Sequence, residues 1–254
     1  MAAGPMVGPR FLDGFALGIW QANCYLLGDT DLGTCVVVDP GQGGDTAVVE
    51  RLAERGVRCE AILLTHGHLD HLWSAPALAE QLDVEVFLHP EDHYLWDDPG
   101  AGFGNLPAGA LKREFGLEWE PSRARLRPFQ DGERLHLAGM RLLARHTPGH
   151  TPGSSVFLLD QADDPVLLSG DLVFAGSIGR TDFPRGSHAQ ELDSIARVVL
   201  PLPDRTLIHS GHGAATTVGR ERETNPFLRE ILPSGGDPRP PLPSGGDPRP
   251  PRPR

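Results

Sequence analysis

Residues 65–71 read T-H-G-H-L-D-H, which sets His66, His68, Asp70 and His71 within six positions of one another. At this chain's own histidine and aspartate frequencies such a string arises by chance in about two chains per thousand, so it is read as a motif. Residues two apart in an extended loop project the same way, so His66 and His68 converge on one ion. Asp70 and His71 begin a helix and project elsewhere, toward a second ion. Four close-set titratable groups without a cation would carry a heavy desolvation and repulsion cost, which makes metal binding the economical reason for the cluster.

A two-metal hydrolytic site needs more donors than this loop supplies, and they should follow buried strands elsewhere. Three positions qualify: His150 in T-P-G-H-T-P-G, Asp171 in S-G-D and His212 in H-S-G-H-G. Each has glycine beside it, which lets the backbone approach the site closely. His146 and His209 lie four and three residues from these positions and are read as bystanders. Asp39, in V-D-P-G at the end of an apolar run, sits where a carboxylate holds a ligand histidine by its free ring N–H. The equal alternative for Asp39 is a turn residue before Pro40.

These loops must be carried by regular elements. Short apolar runs bounded by Gly, Asp and Pro predict buried strands at 25–27, 35–38, 61–64 and 84–88, and then at 135–137, 140–144, 156–159, 166–168 and 206–209. Helical spacing predicts helices over 45–55, stopped by Gly56, over 72–82 and over about 188–200. Strands in succession interrupted by single helices imply an α+β chain whose sheets are covered by helices on their outer faces. The Gly- and Ala-rich stretch 100–117 receives no element. Residues 232–241, L-P-S-G-G-D-P-R-P-P, repeat letter for letter at 242–251. Proline lacks an amide donor and glycine favours disorder, so 232–254 is expected to be a disordered tail behind one folded domain, 1–231.

Composition excludes several classes of function. The chain has 254 residues, 34 acidic against 23 basic side chains and a net charge of −11. It lacks the basic footprint that nucleic-acid binding requires. No apolar stretch reaches the roughly 18 to 20 residues of a membrane span, and the first ten residues lack a signal-peptide layout. Cys24, Cys35 and Cys59 are an odd number without metal-type spacing, which suits free thiols in a reducing, cytoplasmic setting.

The order H-x-H-x-D-H, His150, Asp171, His212 resembles the metallo-β-lactamase superfamily over about residues 11–231. The segments G-S-I-G-R-T-D-F at 176–183, S-G-H-G-A-A-T-T at 210–217 and T-N-P-F-L at 224–228 are similar to the short bacterial glyoxalase II-like hydrolases. The resemblance implies a four-layer αβ/βα sandwich with two divalent ions between the loop edges of its sheets, zinc first, with iron or manganese as alternatives. It would give the first ion His66, His68 and His150 and the second Asp70, His71 and His212, with Asp171 bridging both. The implied reaction is hydrolysis of a small-molecule thioester by a metal-bridging hydroxide, with Asp70 also accepting the proton of that hydroxide as it adds. Arg180 falls where glutathione-dependent relatives place a cationic substrate anchor, its alternative being an internal ion pair with Asp182.

Two rival readings remain. A persulfide dioxygenase would hold one Fe(II) by His66, His150 and Asp171 and would not need His212. A non-catalytic scaffold would recruit an unidentified protein through the tail, but a dead site loses ligands, whereas all seven are present in this chain.

Overall fold

The computed structural model describes residues 11–104, 106, 109–119, 124–159 and 165–231. The tail expected at 232–254 lies outside the described residues. The first sheet contains β1 (Phe11–Leu17), β2 (Ala22–Asp29), β3 (Thr34–Val38), β4 (Arg58–Leu63), β5 (Glu85–Phe87) and β6 (Arg125–Arg127), side by side in that order. β1 to β3 form an antiparallel meander, and β3 to β6 run parallel. Helices α1 (Gly44–Arg55), α2 (Leu69–Leu72) and α3 (Ala75–Leu82) follow β3 and β4, and α4 (His93–Asp97) and α5 (Ala110–Phe115) follow β5.

The second sheet is built from β7 (Arg134–Leu137), β8 (Met140–His146), β9 (Ser155–Leu159) and β10 (Val166–Gly170). After a short hairpin, β11 (Val173–Phe174) and β12 (Ser177–Ile178), it is completed by β13 (Leu207–Ser210) and β14 (Thr216–Thr217), giving the order β14-β13-β10-β9-β8-β7. Its outer face is covered by α6 (His188–Ser194), α7 (Val218–Thr224) and α8 (Pro226–Ile231).

The continuous apolar runs are explained by two-sided burial, because alternate residues of a strand face opposite layers. Leu26, Val37, Ile62 and Val86 pack against Val48, Leu52 and Leu78 of the helices. Their neighbours Leu27, Val36, Leu63 and Phe87 face Met140, Leu142, Phe157 and Leu168 of the second sheet. Val156, Leu158, Leu167 and Ile208 then face Ile195, Val199 and Val218 on the far side. The result is the expected four-layer sandwich, with one core between the sheets and one between each sheet and its helices.

Three local features differ from the sequence expectation. The helix read over 72–82 is broken into α2 and α3, since Pro76 lacks an amide donor and is accommodated at the first turn of a new helix that starts after Ser74. The helix read over 188–200 is α6 followed by a π-helical turn, Ile195–Val199. Within the unassigned stretch, Pro99–Phe103 forms a 3-10 turn and α5 is closed by Gly116 at φ 68°.

Topology alone gathers the candidate residues. β3 and β4 are parallel, so Asp39 and the 65–71 loop leave the same edge of the first sheet. β13 is parallel to β10, and β8 is antiparallel to β9, which is antiparallel to β10, so His150, Asp171 and His212 leave one edge of the second. In open sheets with parallel strands the crevice beyond the strands' carboxyl ends is where ligands are bound.

Candidate metal centre

The seven candidate donors fall into three overlapping sets, each with ligand atoms within 4.8 Å of one another: His66, His68 and His150; His66, His71 and Asp171; Asp70, His71 and His212. His66, His68, His71 and His150 are buried, and Asp70, Asp171 and His212 are half-buried. Asp171 stands between the sets. Its Oδ1 is 3.4 Å from His71 Nε2, and its Oδ2 is 3.6 Å from both His150 Nε2 and His212 Nε2. Asp70 Oδ2 is 3.2 Å from His212 Nε2.

Cations fit this donor set. His66 Nε2, His71 Nε2 and Asp171 Oδ1 are buried without a hydrogen-bond partner, all three aimed into the cluster. Buried polar atoms are otherwise almost always paired, so three orphans at one point call for an occupant. His68 Nδ1 and His150 Nε2 lie 2.8 Å apart, within hydrogen-bond distance, with the tautomers deciding which of them donates.

The second ring nitrogens of His71 and His150 are held from behind, which orients both rings. Asp39 Oδ2 faces His71 Nδ1 at 3.0 Å and accepts the Thr65 hydroxyl at 2.6 Å, while its Oδ1 accepts the Thr65 amide at 2.8 Å. Asp39 makes these contacts at φ 51°, a strained value for a non-glycine residue. His150 Nδ1 faces the Arg180 carbonyl at 2.7 Å, and its amide donates to Glu191 Oε2 at 2.7 Å. His212 is fixed through the main chain: Ala22 bridges to it, Asn23 donates its side-chain amide to Ser210 O and Gly213 O, and the Tyr25 hydroxyl donates to Ser210 O.

Asn23, Tyr25 and Glu191 were not legible as site residues, because their contacts are to main-chain atoms of loops distant in sequence, and Thr65 was not because it acts through the carboxylate of Asp39, 26 residues away. His146 and His209 stand outside the three sets, as expected. His146 stacks on His89 at 3.9 Å, and His209 meets the edge of Tyr25.

The electrostatics follow from burial and charge. Burial and the adjoining imidazoles hold His66 and His68 well below the ordinary histidine range, so both are neutral at pH 7 and offer lone pairs. Burial also disfavours charge on His71, but Asp70, Asp171 and Asp39 outweigh it and raise His71 to about 10. For Asp70 burial pushes upward, yet His71 and His212 hold the carboxyl below the usual range and keep it ionised. Burial raises the Glu191 carboxyl to about 9, so it is neutral where it meets the His150 amide.

Glycine is required where the loops touch. A β-carbon on Gly211 would collide with Asp171 Oδ1 and His71 Cε1. Gly211→Ala is therefore expected to lower bound metal and to reduce turnover by about 10- to 100-fold, the range for disturbed outer support of a metal site. Elemental analysis and steady-state kinetics on the same preparation check this.

The donors floor a cavity of about 420 Å³ whose walls include Trp20, Phe103, Phe174, Ile178 and Phe183. Phe183 packs edge-on against His68, ring centres 5.3 Å apart. Arg180 reaches the rim, where its Nε and one terminal nitrogen each donate to Asp182 at 2.7 Å and its guanidinium covers Phe183. The side-chain pair is exposed, so of the two readings of Arg180 the ion pair is the one formed in this structure, while the residue keeps its place on the cavity wall.

Comparison with known proteins agrees with this geometry. The family model described as the metallo-beta-lactamase superfamily matches residues 17–212, a span that contains all seven donors. The hydroxyacylglutathione hydrolase GloC of Haemophilus influenzae is 39% identical over 211 residues, covering 82% of this chain and 93% of its own length. Among solved structures, the BLEG-1 B3 metallo-β-lactamase superposes with a TM-score of 0.75 at 34% identity, covering 86% of this chain and 99% of that one. TTHA1623 in a di-iron-bound form gives a TM-score of 0.71 at 35% identity, covering 85% and 100%. Fold, donor arrangement and sequence similarity together establish that this chain belongs to the metallo-β-lactamase superfamily.

Proposed function

We propose that this protein is a metal-dependent hydrolase that cleaves a small-molecule thioester at a two-cation site. The observation that carries the reading is the run of three overlapping donor sets, with Asp171 facing members of the outer two, at the floor of one aromatic-walled cavity. His66, His68 and His150 would hold one cation, Asp70, His71 and His212 the other, and Asp171 both. Zinc is the first choice, and iron or manganese suit the same imidazole and carboxylate donors. Similarity to GloC supports the thioester, and the di-iron form of TTHA1623 supports a pair of ions. A complete second donor set favours this reading over a single-iron dioxygenase.

When bound, two divalent cations supply Lewis acidity and bring the pKa of bound water from 15.7 toward about 7. The chain's own residues do the rest. Asp70, kept ionised by His71 and His212, would accept the proton of the attacking hydroxide as it adds. Trp20, Phe103, Phe174 and Phe183 exclude bulk water and pack the groups flanking the thioester carbonyl. The described cavity wall contains no lysine, tyrosine or cysteine to act as general acid. A thiol with pKa near about 8.5 needs none, because it departs as thiolate.

Arg180 serves as an anchor for a carboxylate on the substrate's thiol half, exchanging Asp182 for it. An exposed ion pair is screened by water and contributes little, so the exchange is cheap. Arg180→Gln is expected to raise KM for a carboxylate-bearing thioester about fivefold, roughly 1 kcal/mol, with kcat and the kinetics of a neutral thioester unchanged. Parallel kinetics on S-lactoylglutathione and an uncharged thioester measure it.

Residues 1–231 would constitute the hydrolase domain, with 232–254 an appendage. No helix among the described residues is long and apolar enough to cross a membrane. Cys24, Cys35 and Cys59 are buried and free, which suits a reducing cytoplasm.

The decisive experiment is a thioester panel led by S-lactoylglutathione, with a β-lactam and a persulfide as further arms, on protein of measured metal content. Asp70→Asn and His212→Ala serve as controls. Thioester turnover that collapses in both variants is expected. Near-wild-type turnover in both, oxygen consumption with the persulfide at one iron per chain, or no turnover with any metal would each overturn the reading.

A further inference from the structure

Asp92 is fully buried, ends the 3-10 turn Pro90–Asp92 that follows β5, and offers no atom to the three donor sets. Its carboxylate nevertheless binds both of the loops that carry the three-imidazole set. Oδ2 accepts the Gly67 amide at 2.8 Å and the Thr151 hydroxyl at 2.6 Å, and Oδ1 accepts the Gly153 amide at 2.6 Å. Gly67 lies between His66 and His68, and Thr151 follows His150.

The two loops come from different sheets, one after β4 and the other between β8 and β9, so a single side chain joins the halves of the sandwich at the floor of the site. Gly153 must be glycine for this, because a β-carbon there would lie 2.6–2.7 Å from atoms of Asp92. One direct main-chain bond, Ser155 N–H to Thr65 O at 2.8 Å, joins the same loops further from the cluster.

We propose that Asp92 is a positioning residue that sets the separation of His66 and His68 from His150, and so the affinity of the three-imidazole site for its cation. The inference rests on the metal reading above but is independent of the substrate. An ionised carboxylate is suited to the task because it presents acceptors on both oxygens and only donors face it. Asparagine has the same shape but one acceptor oxygen. In either orientation of the amide, its NH2 would face a main-chain N–H, of Gly153 or of Gly67, so one loop is released.

The test measures zinc bound by the full-length protein in buffers of fixed free zinc, together with the melting temperature of the metal-free form. Wild type and four variants are compared: Asp92→Asn, Thr151→Val, His212→Ala, and Asp92→Asn combined with His212→Ala. Wild type is expected to hold two zinc ions. Asp92→Asn and His212→Ala should each keep one at the free zinc that saturates wild type, with the weaker ion bound about 10- to 100-fold less tightly. The double variant should hold none under those conditions, a site-selective pattern that general loss of stability would not produce.

Thr151→Val keeps the volume and the two amide contacts of Asp92, so it is expected to weaken one zinc ion severalfold with a smaller fall in the metal-free melting temperature than Asp92→Asn. It serves as the deciding variant if Asp92→Asn does not fold. The proposal is overturned if the double variant binds zinc as tightly as His212→Ala alone, or if Thr151→Val binds both ions like wild type. Wild type that binds no zinc, iron or manganese would instead overturn the metal reading itself.

Discussion

Asp171→Asn is expected to lower kcat/KM by about three orders of magnitude, near 4 kcal/mol of transition-state stabilisation, while the chain remains folded. The size follows from position. Asp171 is the one carboxylate whose two oxygens face donors of different sets, at 3.4 Å from His71 Nε2 and 3.6 Å from His150 Nε2 and His212 Nε2. Asparagine offers one oxygen and no charge, and its NH2 must face imidazole nitrogens or a cation. Burial aggravates the mismatch, since a mispaired polar group in this setting is not rescued by water. Steady-state kinetics with metal content measured on the same sample check the prediction, and a variant that keeps both ions and wild-type turnover would show that Asp171 bridges nothing.

Removal of metal is expected to have the second-largest effect, on stability. A ligand present at 1,000 times its dissociation constant stabilises the folded state by about 4 kcal/mol. For a domain of this size that corresponds to a fall in melting temperature of roughly 10 °C on chelation. The effect depends on pH through His71. Its folded pKa, about 10, lies above the ordinary histidine value, so the charged ring stabilises the metal-free protein fully below about pH 6.5 and progressively less up to about pH 10. That same proton competes with the cation, so metal affinity rises over the window in which metal-free stability falls. The melting gap between loaded and chelated protein should therefore widen between pH 6.5 and 9, and a gap that narrows across thermal scans at several pH values would contradict the assignment of His71 to a cation.

Much of this site could be read from the chain because ligand chemistry is local in sequence. His66, His68, Asp70 and His71 announce themselves by type and spacing, and His150, Asp171 and His212 by glycine beside a polar residue after an apolar run. The sandwich was legible for a related reason: Val36 to Val38 and Ala61 to Leu63 are buried on both faces and contain no polar interruption. Other parts were not. β1 carries Asp13 and Gly14 and lies half-exposed at the sheet edge, which erases the apolar run. The break between α2 and α3 depends on which side of Pro76 the chain resumes helix. Asn23, Asp92 and Glu191 act on the main chain of segments tens of residues or more away, and such contacts exist only once the two sheets have closed.

The support of His150 has an evolutionary consequence. Arg180 orients that ring with its carbonyl oxygen, a group present whatever side chain occupies position 180, while the guanidinium and Phe183 look into the cavity mouth. One short segment therefore separates two duties, ion geometry on its backbone and substrate preference on its side chains. Lineages can diversify what enters the mouth through positions 180 to 183 and leave the reactive centre untouched.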